Sequence, residues 1–136
     1  MRIVLDTNMF LVSLSPFSEH APIFDALLAG RFTLLLSNEV VTEYDEIIGQ
    51  RYDRETVRDV LRLLVSLQNA ELIVPHYHWK LIVNDPDDDK FVDLAVAGNA
   101  DFIVTNDKHF KVLSQISFLL VKTMQAEEFL EMLASL

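Results

Sequence analysis

Phe32-Thr33-Leu34-Leu35-Leu36-Ser37-Asn38-Glu39-Val40-Val41-Thr42-Glu43-Tyr44 holds a strand, a helix cap and an amphipathic helix in thirteen residues. The run Phe32–Leu36 is apolar almost throughout, as a strand buried on both faces would be. Ser37 is a good N-cap, and apolar residues at helical spacing then carry a helix to about Ile48, where Gly49 closes it. A buried strand leading straight into a helix is the unit of a parallel sheet.

The same alternation runs through the chain. Arg2–Leu5 is a short apolar run ending at Asp6, and residues 20–30 look helical until Gly30 stops them. Asp53 caps a helix with Val57, Val60, Leu61, Leu64 and Leu67 on one face, and Leu72–Val74 offers a third strand before Pro75. A helix starting near Asp87 or Asp88 ends around Gly98, Phe102–Val104 is a strand, Asn106–Leu113 a short helix and Phe118–Val121 a last strand. Thr123 is then expected to cap a final helix that buries Ala126, Phe129, Leu130 and Leu133. The segment His76–Asn84 is aromatic and polar at once and fits neither period. The pattern predicts an α/β fold of three layers, α/β/α, with a central parallel sheet of about four or five strands.

Composition narrows the class. A length of 136 residues, 51% hydrophobic and 24% charged, fits one globular domain over residues 1–136 and excludes disorder. No apolar run approaches the roughly 20 residues of a bilayer span, and Asp6 comes too early for a secretory leader. With no Cys, thiolate chemistry is excluded and a cytoplasmic address is expected. Lys and Arg number 11 against 21 Asp and Glu, a formal charge of −10, which opposes indiscriminate binding to nucleic acid. Only Gly30, Gly49 and Gly98 occur, so no phosphate-cradling glycine loop exists, and there is no G-x-S-x-G elbow.

The acids carry the chemistry. Ligands of open parallel sheets bind beyond the carboxyl ends of the strands, where Asp6 and Asp107 both stand. Either alone could be a helix cap; two together suggest a site. Glu43 interrupts the apolar stripe of Val40, Tyr44 and Ile47, and a half-buried carboxylate needs a partner or a metal. Asp85-Pro86-Asp87-Asp88-Asp89-Lys90 adds a cluster at a helix start, with Asp89 and Asp93 one turn apart. Oxygen-only ligands suit Mg²⁺ or Mn²⁺, and such ions activate water and stabilise phosphoryl oxygens.

Together, Ile3-Val4-Leu5-Asp6-Thr7-Asn8, Ser37 to Glu43, Asp85 to Phe91 and Val104-Thr105-Asn106-Asp107-Lys108-His109-Phe110 resemble the PIN domain, and more narrowly the toxin-component subgroup of bacterial PIN proteins. The resemblance spans essentially the whole chain in order. It implies an endoribonuclease dependent on Mg²⁺ or Mn²⁺ that hydrolyses RNA phosphodiesters with metal-activated water. It also implies a small antitoxin partner and a homodimer. Asp6, Glu43, Asp89 and Asp107 match the family's acids, Asp89 being chosen over Asp87 and Asp88 because the family's third aspartate lies about 18 residues before the last. Asp6, Asp89 and Asp107 would hold the metal; Glu43 would ligate a second one or position the nucleophile. Asn8 and Thr105 match polar positions that orient the first and last aspartates, and Asp93 offers an auxiliary acid.

Other features have two readings each. Arg51, Arg54, Arg58 and Arg62 align on one helix face, as a phosphate-tracking stripe or a solvated surface paired with Glu55 and Asp59. Lys90, Lys108 and His109 would contact phosphate or soften carboxylate repulsion. His76-Tyr77-His78-Trp79 lacks helical ligand spacing and reads better as packing than as a metal or stacking site. A catalytically silent PIN-like module binding RNA or protein is the competing function. A haloacid-dehalogenase-like phosphatase is disfavoured because Asn8 stands where its second aspartate would be.

Overall fold

In the computed structural model, which describes residues 1–80, 88–110 and 121–136, the apolar runs assemble into one parallel sheet. Its strands are β1 (Arg2–Leu5), β2 (Thr33–Leu36), β3 (Ala70–Leu72), β4 (Phe102–Val104) and β5 (Thr123–Met124), in the order β3-β2-β1-β4-β5. Every pairing is parallel, with Ile3 opposite both Leu34 and Phe102. Strand order reverses direction at β1, so a crevice opens between the carboxyl ends of β1 and β4, the topological switch point of such sheets.

The helices are α1 (Thr7–Ser13), α2 (Ala21–Leu28), α3 (Asn38–Gly49), α4 (Arg54–Ser66), α5 (Asp89–Ala97) and α6 (Ala126–Ala134). Helix α1 packs on α2 and α3, and α3 on α4, while α5 lies on β1, β2 and β4. With this strand order, right-handed crossovers would carry α5 on the sheet face opposite the helices that connect β1, β2 and β3, the arrangement of three layers. Ile3, Val4, Leu34, Leu35, Val92, Leu94 and Ile103 are fully buried between them. Among the described residues no helix is long and apolar enough to cross a membrane.

Local chemistry explains most boundaries. Ser37 and Asp53 accept the amides of Val40 and Thr56, capping α3 and α4 as their sequences require. Gly30 follows α2 at φ 74°, the left-handed conformation that glycine tolerates best. Gly98 ends α5 for a different reason: a Cβ there would sit 2.7 Å from Leu35 Cδ1 and 3.2 Å from the Leu94 carbonyl oxygen.

Three sequence expectations need correction. Helix α1 was not foreseen; it starts directly after Asp6, whose carboxylate accepts the Met9 amide at 2.8 Å. The third strand lies two residues earlier than Leu72–Val74, because pairing with β2 sets Ala70 opposite Leu34, and Asn69 anchors the approach by donating to the Leu27 and Phe32 carbonyls. Thr123 is a strand residue opposite Ile103, and Gln125 takes the cap position of α6. The Ala126 amide there is accepted instead by Asn106, 20 residues upstream. Of the predicted Asn106–Leu113 helix, one turn is seen at Lys108–Phe110, and Asn106 and Asp107 precede it outside any helix; residues 111–113, residues 118–120, and Asp85, Pro86 and Asp87 lie outside the described residues.

Candidate active site

Construction of the site begins at Leu5, the last residue of β1. Its carbonyl accepts the hydroxyl of Tyr44 at 2.5 Å, and Tyr44 is wholly buried and stacked on Phe10 with ring centroids 4.5 Å apart. Burial pushes the Tyr44 phenol well above its usual range, helped by the charges of Asp6 and Glu43, so it stays a neutral donor. This contact ties α3 to the end of β1, and with it Glu43 to the neighbourhood of Asp6. In sequence Tyr44 belongs to an apolar stripe, and its hydroxyl finds its partner only where α3 meets the end of β1.

Asp6 is 8% exposed. One carboxylate oxygen caps α1 through Met9, and the other accepts the hydroxyl of Thr105, the residue following β4. The same Thr105 oxygen accepts the Asp107 amide at 3.0 Å. Thr105 is thus the bracket between the two strand-end aspartates. Burial raises the Asp6 pKa; the Thr105 and Met9 hydrogen bonds pull it down, and the charges of Asp107 and Glu43 push it up again.

Glu43, on the first half of α3, accepts the Thr7 hydroxyl on one oxygen and the Lys90 ammonium on the other, the latter at 2.7 Å. Asp107 accepts the His109 amide at 2.9 Å, and the His109 imidazole Nδ1 lies 3.4 Å from the same carboxylate oxygen. These side chains surround a cavity of about 520 Å³ whose polar wall is Asp6, Thr7, Asn8, Glu43, Asp88, Asn106 and Asp107, with Ile47 and Phe91 as its apolar part.

The predicted site residues are distributed unevenly. Asp6, Asn8, Glu43 and Asp107 line the cavity, and Thr105 supports it from beneath. Among the described residues of the acidic cluster Asp88 lines the cavity, while Asp89 begins α5 outside the lining. Asp93, 5% exposed, uses both oxygens elsewhere: it holds His78 Nδ1 at 3.0 Å and the Trp79 amide at 2.9 Å. Thr7 and Asn106 are lining residues that sequence reasoning did not single out, although both sit beside a strand-end acid. Arg54, Arg58 and Arg62 are exposed on α4, whereas Arg51 stands in the turn before it and so is not part of the expected helix stripe; none of the four lines the cavity, and Arg54 pairs with Asp45 at 3.0 Å.

The donor set fits a hard divalent cation. Several carboxylates converge on one cavity, and Asp6 among them has its pKa raised, chiefly by burial and further by the charges of Asp107 and Glu43. Ligand atoms of Asp88, Asp107 and His109 all lie within 4.8 Å of one another, a spacing that one ion could span.

The fold recurs in proteins of known structure. The fold is shared with VapBC2 from Rickettsia felis, solved bound to a DNA fragment from their promoter: TM-score 0.61, 21% identity, 91% of this chain and 99% of that one covered. It is shared too with the PIN domain of RRP44 from T. brucei: TM-score 0.55, 15% identity, 98% of this chain and 80% of that one covered. Curated protein sequences contain no significant match. Residues 2–109, most of the 136, match the PIN domain family, from the Arg2 that opens β1 to the His109 beside the last acid. The chain belongs to the PIN domain family.

Proposed function

We propose that this protein is an endoribonuclease that uses Mg²⁺ or Mn²⁺ to hydrolyse RNA phosphodiester bonds, and that it is the toxin component of a toxin–antitoxin pair. The observation that carries the enzymatic reading is the bracket at Thr105, which sets two buried or half-buried aspartates from adjacent parallel strands onto one cavity. A divalent cation bound there would lower the pKa of a water molecule and polarise a phosphoryl oxygen.

Asp6 and Asp107 are the ligands proposed from the strands. The acidic turn before α5 supplies the third, for which Asp88 has the better placement and Asp89, matched by family spacing, the poorer one. Glu43 holds its carboxylate toward the same cavity, and Asn8 and Asn106 offer amides to a substrate phosphate beside it. Asp93 belongs to the support of α5 and the His78–Trp79 segment rather than to the reaction. Partners under this reading are RNA, a small antitoxin and a second copy of the chain, and the setting is the cytoplasm. The likeness to VapBC2 and the motif resemblance support the toxin reading.

The test is RNA cleavage by the full chain with Mn²⁺ or Mg²⁺, against the same protein in EDTA and against Asp6→Asn and Asp107→Asn. Loss of about 100-fold or more in both variants is expected. Undiminished cleavage in EDTA, or by either variant, overturns the proposal.

A further inference from the structure

Resting on the metal-dependent reading above, we propose that Lys90 occupies the place of a second divalent cation, so that the cavity takes one metal ion and Glu43 serves as the lysine's partner. The inference starts from a charge in an unexpected position. Lys90 is the second residue of α5, in the first turn, where a helix favours acids and disfavours a cation. What offsets that cost is Glu43: its Oε1 accepts the ammonium at 2.7 Å, within the range of a charge-assisted bond, with both side chains only about a fifth exposed. A pair so shielded is weakly screened by salt.

The other oxygen of Glu43 is also engaged, by the Thr7 hydroxyl. An inner-sphere cation at Glu43 would have to share an oxygen that is already engaged and stand close to the Lys90 ammonium, whose charge repels it. Asp88 and Asp107 are placed differently: they bring ligand atoms within 4.8 Å of each other and of His109, whereas among the described residues neither Glu43 nor Asp6 belongs to that group, and of these two only Glu43 already holds an ammonium. One turn of chain therefore delivers an acid, Asp88, to the cation seat and an ammonium, Lys90, to Glu43. Against the carboxylates of Asp6, Glu43, Asp88 and Asp107, Lys90 and one divalent ion supply three positive charges to four negative. A second ion would bring five positive charges against those four before any substrate enters, and the first ion and the Lys90 ammonium would both repel it. Lys90 is thus a positioning residue for Glu43.

Titration of the full chain with Mn²⁺, followed by calorimetry and native mass spectrometry, tests this. Wild type and Lys90→Arg are expected to bind one Mn²⁺ per chain, and Lys90→Met, which keeps the side-chain length but removes the charge, is expected to bind two. Asp107→Asn should weaken the first ion by about 10-fold or more. Two Mn²⁺ on wild type overturn the inference and leave the metal-dependent reading intact; no Mn²⁺ on wild type overturns both. A folded Lys90→Met that still binds one ion with wild-type affinity also overturns it. Should Lys90→Met fold only with metal, the count per folded chain decides in the same way.

Discussion

Thr105 donates its hydroxyl hydrogen to Asp6 while the same oxygen accepts the amide of Asp107, so one side chain sets two strand-end acids 101 positions apart in the chain. Thr105→Val keeps the shape and removes both bonds. It should cost about 1–3 kcal/mol of stability, because Asp6 and the Asp107 amide lose a buried partner. Mn²⁺ affinity should fall by about 10–100-fold, and Thr105→Ser should restore most of it. Thermal melts and calorimetric titration check the two effects separately.

Metal-free protein should be penalised by its own site. The Asp6 pKa is raised chiefly by burial, so the folded state binds a proton that the unfolded state has lost. This favourable contribution is complete below the ordinary carboxyl pKa of about 3.9 and is lost as pH rises through the higher folded value. In EDTA, Asp6→Asn should melt above wild type at neutral pH, by roughly 0.5–2 kcal/mol, since Asn caps a helix as well as Asp and its Nδ2 can donate to the Thr105 oxygen in place of the hydroxyl bond it no longer accepts. The advantage should shrink as the solution is acidified. A neutral-pH melt in which Asp6→Asn is less stable than metal-free wild type refutes this account of the site.

Added Mn²⁺ should reverse that order. A ligand held at 100 times its Kd contributes about 2.7 kcal/mol to the folded state, so wild type should gain several degrees in Tm and lose them again in EDTA. Asp107→Asn should show little gain. Equal stabilisation of both proteins would place the ion elsewhere.

Asp93 should behave as a structural acid. Replacing it with Ala strips the Trp79 amide and His78 of their shared acceptor, which should cost about 1–3 kcal/mol and alter the fluorescence of Trp79, the chain's single tryptophan. Mn²⁺ stoichiometry should stay unchanged in a folded variant. A lost equivalent of metal would return Asp93 to the site.

Gly98 leaves no room for a branched side chain beneath Leu35. Gly98→Val should destabilise the protein by about 1–3 kcal/mol through overpacking, without changing metal stoichiometry. Denaturant melts measure this directly.

Much of this was legible in the sequence where the causes are local. Ser37 and Asp53 announce α3 and α4 because an N-cap is decided within four residues. Asp6 and Asp107 stand out because each follows an apolar run, and parallel sheets gather such ends. Helix α1 escaped notice because Thr7, Met9, Phe10, Leu11 and Ser13 are all buried, leaving no polar face to mark a period. The third strand was misplaced because its limits come from β2 rather than from its own residues. Between Asp88 and Asp89 the decision turns on one step of helix rotation, about 100°, which counting along a motif does not resolve. The partners of Asp93 and Lys90 lie in distant segments, and no local pattern names them.

The bond from Tyr44 to the Leu5 carbonyl holds together the immediate neighbours of Glu43 and Asp6. Their separation is therefore governed by a contact that neither acid makes, and it does not depend on whether a cation is present. Loaded and empty chains should superpose at this corner of the sheet. Capture of the ion would then be timed by how fast the ion sheds its own water, with no closing movement of the protein to wait for.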